Sequence, residues 1–338
     1  MLDSVQQISA QVKKSINWVR FKFQHGDLLW KAVTILMASG LLVLMLSIGW
    51  LLWSRTTLAQ ETYGWSFIIP STETSWNPVT ERFQAWAFLY GTVVTSLFAI
   101  LIALPVSLGV AIFLTELCPY WLRQPISWLV ELLAAIPSVV YGLWGIFVFL
   151  PTVVTPLGQL LDSLVGHLPL LNGLFGGPIP ESGASRLAAA LVLAIMIIPT
   201  ITAVTREVFL AIPNHQREAA LALGATRFEL VWHILIPYGL SGILGAIILG
   251  LGRALGETMA VTMVIGNSTQ NTTSLLKPGY TLASIIANEF AEATSELHLQ
   301  ALELIGLLLF AITLLLNALA RLLVWQAAKR NSIGDNRL

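Results

Sequence analysis

The chain has 338 residues, of which 56% are hydrophobic and only 11% charged, and its 18 basic and 18 acidic side chains leave no net charge. Soluble domains carry roughly 25% charged residues, so this composition excludes an ordinary soluble globule and points into a membrane. Zero net charge leaves no basic footprint for nucleic acid, and the single cysteine, Cys118, excludes an internal disulfide framework or a multi-cysteine metal site.

Residues 1–31 carry Lys13, Lys14, Arg20, Lys22 and Lys31 and lack the short apolar core and small-residue cleavage site of a signal peptide. Val5, Ile8, Val12, Ile16, Val19 and Phe23 recur in steps of three and four, which predicts a basic amphipathic helix on the cytoplasmic membrane surface. A membrane-crossing helix takes about 20 mostly apolar residues. On that measure the first span is expected over residues 32–54 and the second over 83–115, kinked near Pro105. The third is expected over 126–150, with Glu131 near its start and Pro137 inside it, and the fourth over 187–205 with Pro199 inside. A fifth follows a polar interruption at about 206–237, and residues 304–320 form the core of the sixth. The expected fold class is therefore all-α: a polytopic membrane protein with six transmembrane helices over 32–325 and a tail over 326–338.

Orientation follows from the basic residues. With a cytoplasmic N-terminus and six spans, both termini are cytoplasmic and 13 of the 18 lysines and arginines fall inside. Arg55, Arg82, Arg186 and Lys277 fall in outside segments, and Arg253 lies within an apolar stretch. The outside segments are 55–82, 151–185 and 266–300, the last opening on a hydroxyl- and amide-rich run from Asn267 to Ser274. His167 and His298 lie in these segments without carboxylates or cysteines at metal spacing, so both are expected at the surface. Trp50, Trp53 and Trp65 fit an interfacial belt.

The polar interruption concentrates charge and small residues. Arg217, Glu218, Arg227 and Glu229 alternate with Ala219, Ala220, Ala222, Gly224 and Ala225. Gly224 reads as a turn between two short helices and Pro237 as the kink or start of the next span. Small residues admit close approach, so Glu218, Ala219, Ala220, Gly224 and Ala225 form a candidate docking surface for another protein, against the plainer reading of a polar loop.

After the loop, residues 230–265 are apolar except for His233, Arg253 and Glu257. At 1.5 Å per residue that is roughly 54 Å of helix, more than a bilayer core. The helix must break, with Gly250, Gly252 and Gly256 as candidate points, or run partly along the surface. Arg253 and Glu257 are four apart and can pair on one helical face. They are either a self-neutralising pair that fixes packing, or a substrate route in which Arg253 offers an oxyanion parallel hydrogen bonds and Glu257 limits how tightly it is held.

Glu218-Ala219-Ala220, then Gly224, then Ile234 and Ile236-Pro237 reproduces the spacing of the EAA loop and resembles the permease subunits of type I ABC importers, although Ile236 stands where that family usually has Leu. The segment from Gly252 to Asn267, GRALGETMAVTMVIGN, resembles oxyanion permeases. Its RALGE core is shared with sulfate- and molybdate-type members, while its continuation and the stretch from Ala134 to Pro151 look most like permeases of phosphate importers. The resemblance implies that the EAA loop docks on an ATPase subunit and that Arg253 and Glu257 take part in phosphate passage. It implies as partners a homologous second permease, a dimer of ATPase subunits and a periplasmic phosphate-binding protein. The chain has no GxxxxGK[ST] loop of its own, so no cofactor is expected in it, and ATP and Mg belong to the partner ATPase. The function expected is alternating-access import of phosphate across the cytoplasmic membrane, by a transport subunit and not an enzyme. The rivals are the same machine carrying sulfate or molybdate, and an ATP-independent anion channel or secondary carrier, which leaves the EAA spacing unexplained.

Overall fold

A computed structural model describes the backbone of residues 27–70, 76–166, 168–169 and 171–335, with side chains between 29 and 325. Residues 1–26 of the expected amphipathic segment, His167 and the side chains of the tail lie outside this description. The chain divides into two units, residues 1–55 and residues 56–338. The first holds α1 (Asp27–Arg55), uniformly apolar, with Trp50 and Trp53 exposed near its end.

The second unit holds everything else. It opens on the short α2 (Thr57–Tyr63) and continues with α3, a long rod over Trp86–Leu117. Next come α4 (Tyr120–Ala135), the span α5 (Ser138–Leu164), a single turn α6 (Asn172–Phe175) and the span α7 (Arg186–Leu210). The docking region supplies α8 (Asn214–Ala222), after which α9 (Arg227–Gly256) crosses back. Two short helices, α10 (Met259–Val264) and α11 (Leu282–Glu289), precede the terminal α12 (Glu296–Asp335). Among the described residues the regular structure is all helix, with two isolated backbone bridges, and six helices are long and apolar enough to cross a membrane.

The third span differs from its expected position. Residues 120–135 form a separate amphipathic helix, α4, and the crossing helix is α5, shifted some twelve residues along the chain from the expected start. The cause is Pro137: the residue before a proline is pushed out of the α region, and Ile136 is extended with ψ 129°. Pro151, expected to open an outside loop, instead lies inside α5. There the helix widens into a π segment from Gly145 to Val154, a geometry that absorbs the missing proline N–H. A similar widening over Val231–Leu235 precedes Pro237 in α9.

Helix α7 is the centre of the bundle. Its buried residues, including Leu193, Met196, Ile197 and Ile201, form the main core with α3, α5, α9 and α10. Glycines permit the closest approaches. A Cβ on Gly250 would lie 2.8 Å from Ile201, and one on Gly242 would lie 2.4 Å from Val208, so α9 packs almost backbone-on-side-chain against α7. Polar cross-links tie α3 to α7: the Ser107 hydroxyl donates to the Ile198 carbonyl and the Thr202 hydroxyl to the Ser107 carbonyl.

His298 is not at the surface. It is 6% exposed, stacks on Phe83 at 5.1 Å, and shares Glu289 with Trp76, whose indole N–H donates at 2.6 Å. Burial, with Glu289 nearby, pushes the neighbouring Tyr280 hydroxyl above its ordinary pKa. The partners of His298 come from residues 76–83 and 289, which sequence spacing did not bring together.

Candidate functional site

The loop expected to dock a partner is built by two caps back to back. At the end of α8 the Ala225 N–H donates to the Ala220 carbonyl and the Gly224 N–H to the Leu221 carbonyl, the crossed pair of a Schellman motif. That motif needs a left-handed residue, and Gly224 supplies it at φ +88°. Thr226 then opens α9 with a capping box, its hydroxyl accepting from the Glu229 N–H while the Glu229 carboxylate accepts from the Thr226 N–H at 2.7 Å. The T-x-x-E spacing of Thr226 to Glu229 is legible in sequence but was not part of the expected site. Of the expected docking residues, Glu218, Ala219 and Gly224 are exposed, Ala225 is half-buried and Ala220 is buried. Leu223 and Phe228 stand 90% and 70% exposed beside them, with the Phe228 ring tilted against Trp232 at 6.0 Å.

The loop is pinned to the bundle through arginine. Arg217 Nε donates to Glu116 Oε1 at 3.1 Å, with both side chains largely buried, while its Nη groups donate to the carbonyls of Phe209 and Ile212 at the end of α7. Arg227 donates to the Glu116 carbonyl at 2.7 Å. Glu116 sits in the wide turn closing α3, so the two arginines join three elements at one point.

The intramembrane pair does not form as a helical pair. Helix α9 stops at Gly256, one of the expected break points, and Glu257 is extended with ψ 123°. Glu257 instead accepts from the Ala260 N–H at 3.2 Å, capping the start of α10. Arg253 donates to Thr200 Oγ1 at 2.9 Å and reaches the Ala134 carbonyl at 3.4 Å. Ala134 is one residue from the end of α4, where the break at Pro137 leaves carbonyls unspent, and Tyr141 donates to the adjacent Leu133 carbonyl. Arg253 thus rests on neutral oxygens at the negative end of a helix dipole, half-buried, with no carboxylate within ion-pair distance among the described residues.

Among the described residues no group of three or more histidine, cysteine and carboxylate side chains is arranged to hold a metal ion.

Comparison with known proteins agrees with this architecture. The family model of the binding-protein-dependent transport system inner membrane component matches residues 107–330. The phosphate transport system permease protein PstC of Mesorhizobium japonicum is 45% identical over 329 residues, covering 97% of this chain and 99% of that protein. The protein of the same name from Xylella fastidiosa strain Temecula1 is 50% identical over 257 residues, 76% of this chain and 78% of its own length. Among solved structures, a bacterial alginate ABC transporter in complex with an alginate-bound periplasmic protein aligns with a TM-score of 0.56 over 88% of this chain and 95% of its own. At 15% identity that likeness is one of fold alone. By the family match and the identity to these relatives, the chain belongs to the PstC permeases of phosphate transport systems, within the inner membrane components of binding-protein-dependent transport.

Proposed function

We propose that this chain is the membrane permease subunit of an ATP-driven importer that moves inorganic phosphate across the inner membrane by alternating access. The observation that carries the reading is the identity of 45% over nearly the whole chain to a phosphate transport system permease. The geometry supports it at two places. The exposed rim of the loop, Glu218, Ala219 and Gly224 beside Leu223 and Phe228, fits a groove on an ATPase subunit (PstB-like), which holds ATP and Mg. Arg253, with no carboxylate within ion-pair distance among the described residues, suits a tetrahedral oxyanion through two parallel donors. Glu257, at the break between α9 and α10, limits the residence of that anion from a position separate from Arg253's own hydrogen bonds.

The remaining partners are a homologous permease (PstA-like) and a periplasmic phosphate-binding protein (PstS-like), with both termini of this chain cytoplasmic. ATP binding closes the ATPase dimer, the docking loop follows, and the spans rock so that the path opens to the loaded binding protein. Hydrolysis resets it. The test is uptake of radiolabelled phosphate, sulfate and molybdate, measured in parallel in cells bearing the assembled importer, with co-isolation of the ATPase from the same cells. Phosphate uptake that requires the ATPase and is lost in Arg253→Ala is the expected result. Transport of sulfate or molybdate alone overturns the substrate, and uptake without any ATPase overturns the mechanism.

A further inference from the structure

The largest fully buried side chain of the bundle is a charged one. Arg186, the first residue of α7, is 0% exposed and lies at the end of that helix remote from the docking loop. The sequence placed it in an outside segment; the structure puts it beneath one. Residues 266–281 fold across it. The Arg186 N–H donates to the Lys277 carbonyl and the Leu187 N–H to the Leu275 carbonyl, and Tyr90 donates to the Thr273 carbonyl from the α3 side. The polar run from Asn267 to Ser274, which serves no purpose in the docking loop or at Arg253, is the material of this cover.

The guanidinium is only half satisfied. Nη1 donates to Thr272 Oγ1 at 2.8 Å and to the Ser274 carbonyl at 3.1 Å. Nε and Nη2 are buried and have no partner, and among the described residues no carboxylate lies within ion-pair distance. The Tyr90 ring also faces the charge, 5.8 Å from Cζ. A buried cation without a counter-charge is kept at a cost that packing alone does not explain, since an apolar side chain of the same length would fill the space better. The unpartnered edge is also the one that grips oxyanions, because Nε–H and Nη2–H run parallel and match two oxygens of a tetrahedral anion.

What closes that edge is a glycine. A Cβ on Gly279 would lie 2.5 Å from Nε and 2.6 Å from Nη2, so the bare glycine backbone lies directly over the two free donors. Gly279 bridges to Gly266, which is left-handed at φ +89°, so the cover is attached through a joint that other residues adopt with strain. The field at the start of a 25-residue helix adds to the attraction for an anion, and Ser185 already caps the helix with its side chain.

We propose that Arg186 is a second anion site on the phosphate route: its Nε–Nη2 edge binds phosphate or a like tetrahedral oxyanion when residues 266–281 lift away, and the cover closes it in the present conformation. The inference rests on the phosphate-permease reading. It sets two cations in series, Arg186 at the end of α7 remote from the docking loop and Arg253 beside Thr200, farther along the same helix. An anion released from the first meets the second.

The experiment uses the complete importer, reconstituted with its ATPase and binding protein. Arg186→Met removes the charge and keeps the length. The variant should assemble with an unchanged or higher thermal midpoint, because no ion pair is lost, while phosphate uptake falls about tenfold or more for want of a two-pronged donor. Independently of any variant, the wild-type complex is treated with the arginine reagent phenylglyoxal, and modification at Arg186 is read by mass spectrometry. Labelling should appear during ATP turnover, be absent at rest, and be suppressed by millimolar phosphate and not by chloride. Wild-type uptake in Arg186→Met overturns the proposal, as does an Arg186 that stays unlabelled throughout turnover or is labelled equally with and without phosphate. If Arg186→Met fails to assemble, the labelling result alone decides. Absence of phosphate uptake by the wild type would instead sink the substrate reading, and protection of Arg186 by sulfate or molybdate would then show which oxyanion the site takes.

Discussion

The two ends of α7 hold arginine in opposite ways. At the end beside the docking loop, Arg217 meets a carboxylate and two carbonyls, and its charge is spent on structure. At the other end Arg186 meets one hydroxyl, one carbonyl and an aromatic ring, and keeps two donors free. Arg253, between them against Thr200, is of the second kind. A paired arginine fixes where a loop sits, whereas one without a counter-charge in an apolar bundle costs stability and leaves its charge unneutralised.

The sharpest way to break this contrast is to remove the paired arginine. Arg217→Ala leaves Glu116 largely buried without its cation and strips two carbonyls at the end of α7, which should cost about 3 kcal/mol. The loss would appear as a lowered thermal midpoint and reduced co-isolation of the ATPase. Adding Glu116→Gln should recover part of it, and no recovery would mean that the pair is not what holds the loop. Arg253→Gln should do the reverse, leaving the midpoint near wild type while lowering phosphate uptake about a hundredfold, equivalent to about 2.7 kcal/mol. Equal losses of stability and uptake would place Arg253 with Arg217 as a structural residue. Gly224→Val forces a β-branched residue to φ +88° and should cost about 1 to 2 kcal/mol, read as weaker ATPase association at unchanged expression. The smallest effect belongs to Thr226→Ala, which removes one side of the capping box for about 1 kcal/mol and should lower ATPase association only slightly.

Much of the architecture was legible because it is local. Apolar length gave six crossings, and Gly224 marked a turn between two short helices where the Schellman motif stands. Length required either a break or a surface-lying stretch after residue 230, and the break falls at Gly256, one of three candidate glycines. The misplaced third span shows the limit of hydropathy. Residues 126–150 are apolar enough to cross, but Pro137 divides them, and Pro151 is carried inside a widened helix that no hydropathy window registers. The Arg253–Glu257 pair failed for a related reason: four-residue spacing makes a pair only while the helix continues, and it ends between them. His298, Glu116 and Arg186 were misjudged or missed because their partners lie 9 to 222, 101 and 86 to 96 residues away in the chain, beyond any local pattern.

One rod carries both halves of the proposed mechanism. Arg227, at the docking end of α9, and Arg253 are separated by 26 positions of the same helix, roughly 39 Å at 1.5 Å per residue. Such a rod is a lever arm: a swing of about 10° about its docking end carries the far end some 7 Å sideways at that length. The widened turn from Val231 to Leu235 lies at the base of the lever, where a small yielding in the helix changes the stroke most. Under the proposed mechanism, the stiffness of those five residues would set how much of a nucleotide-driven movement is delivered to the anion and how much is absorbed before it arrives.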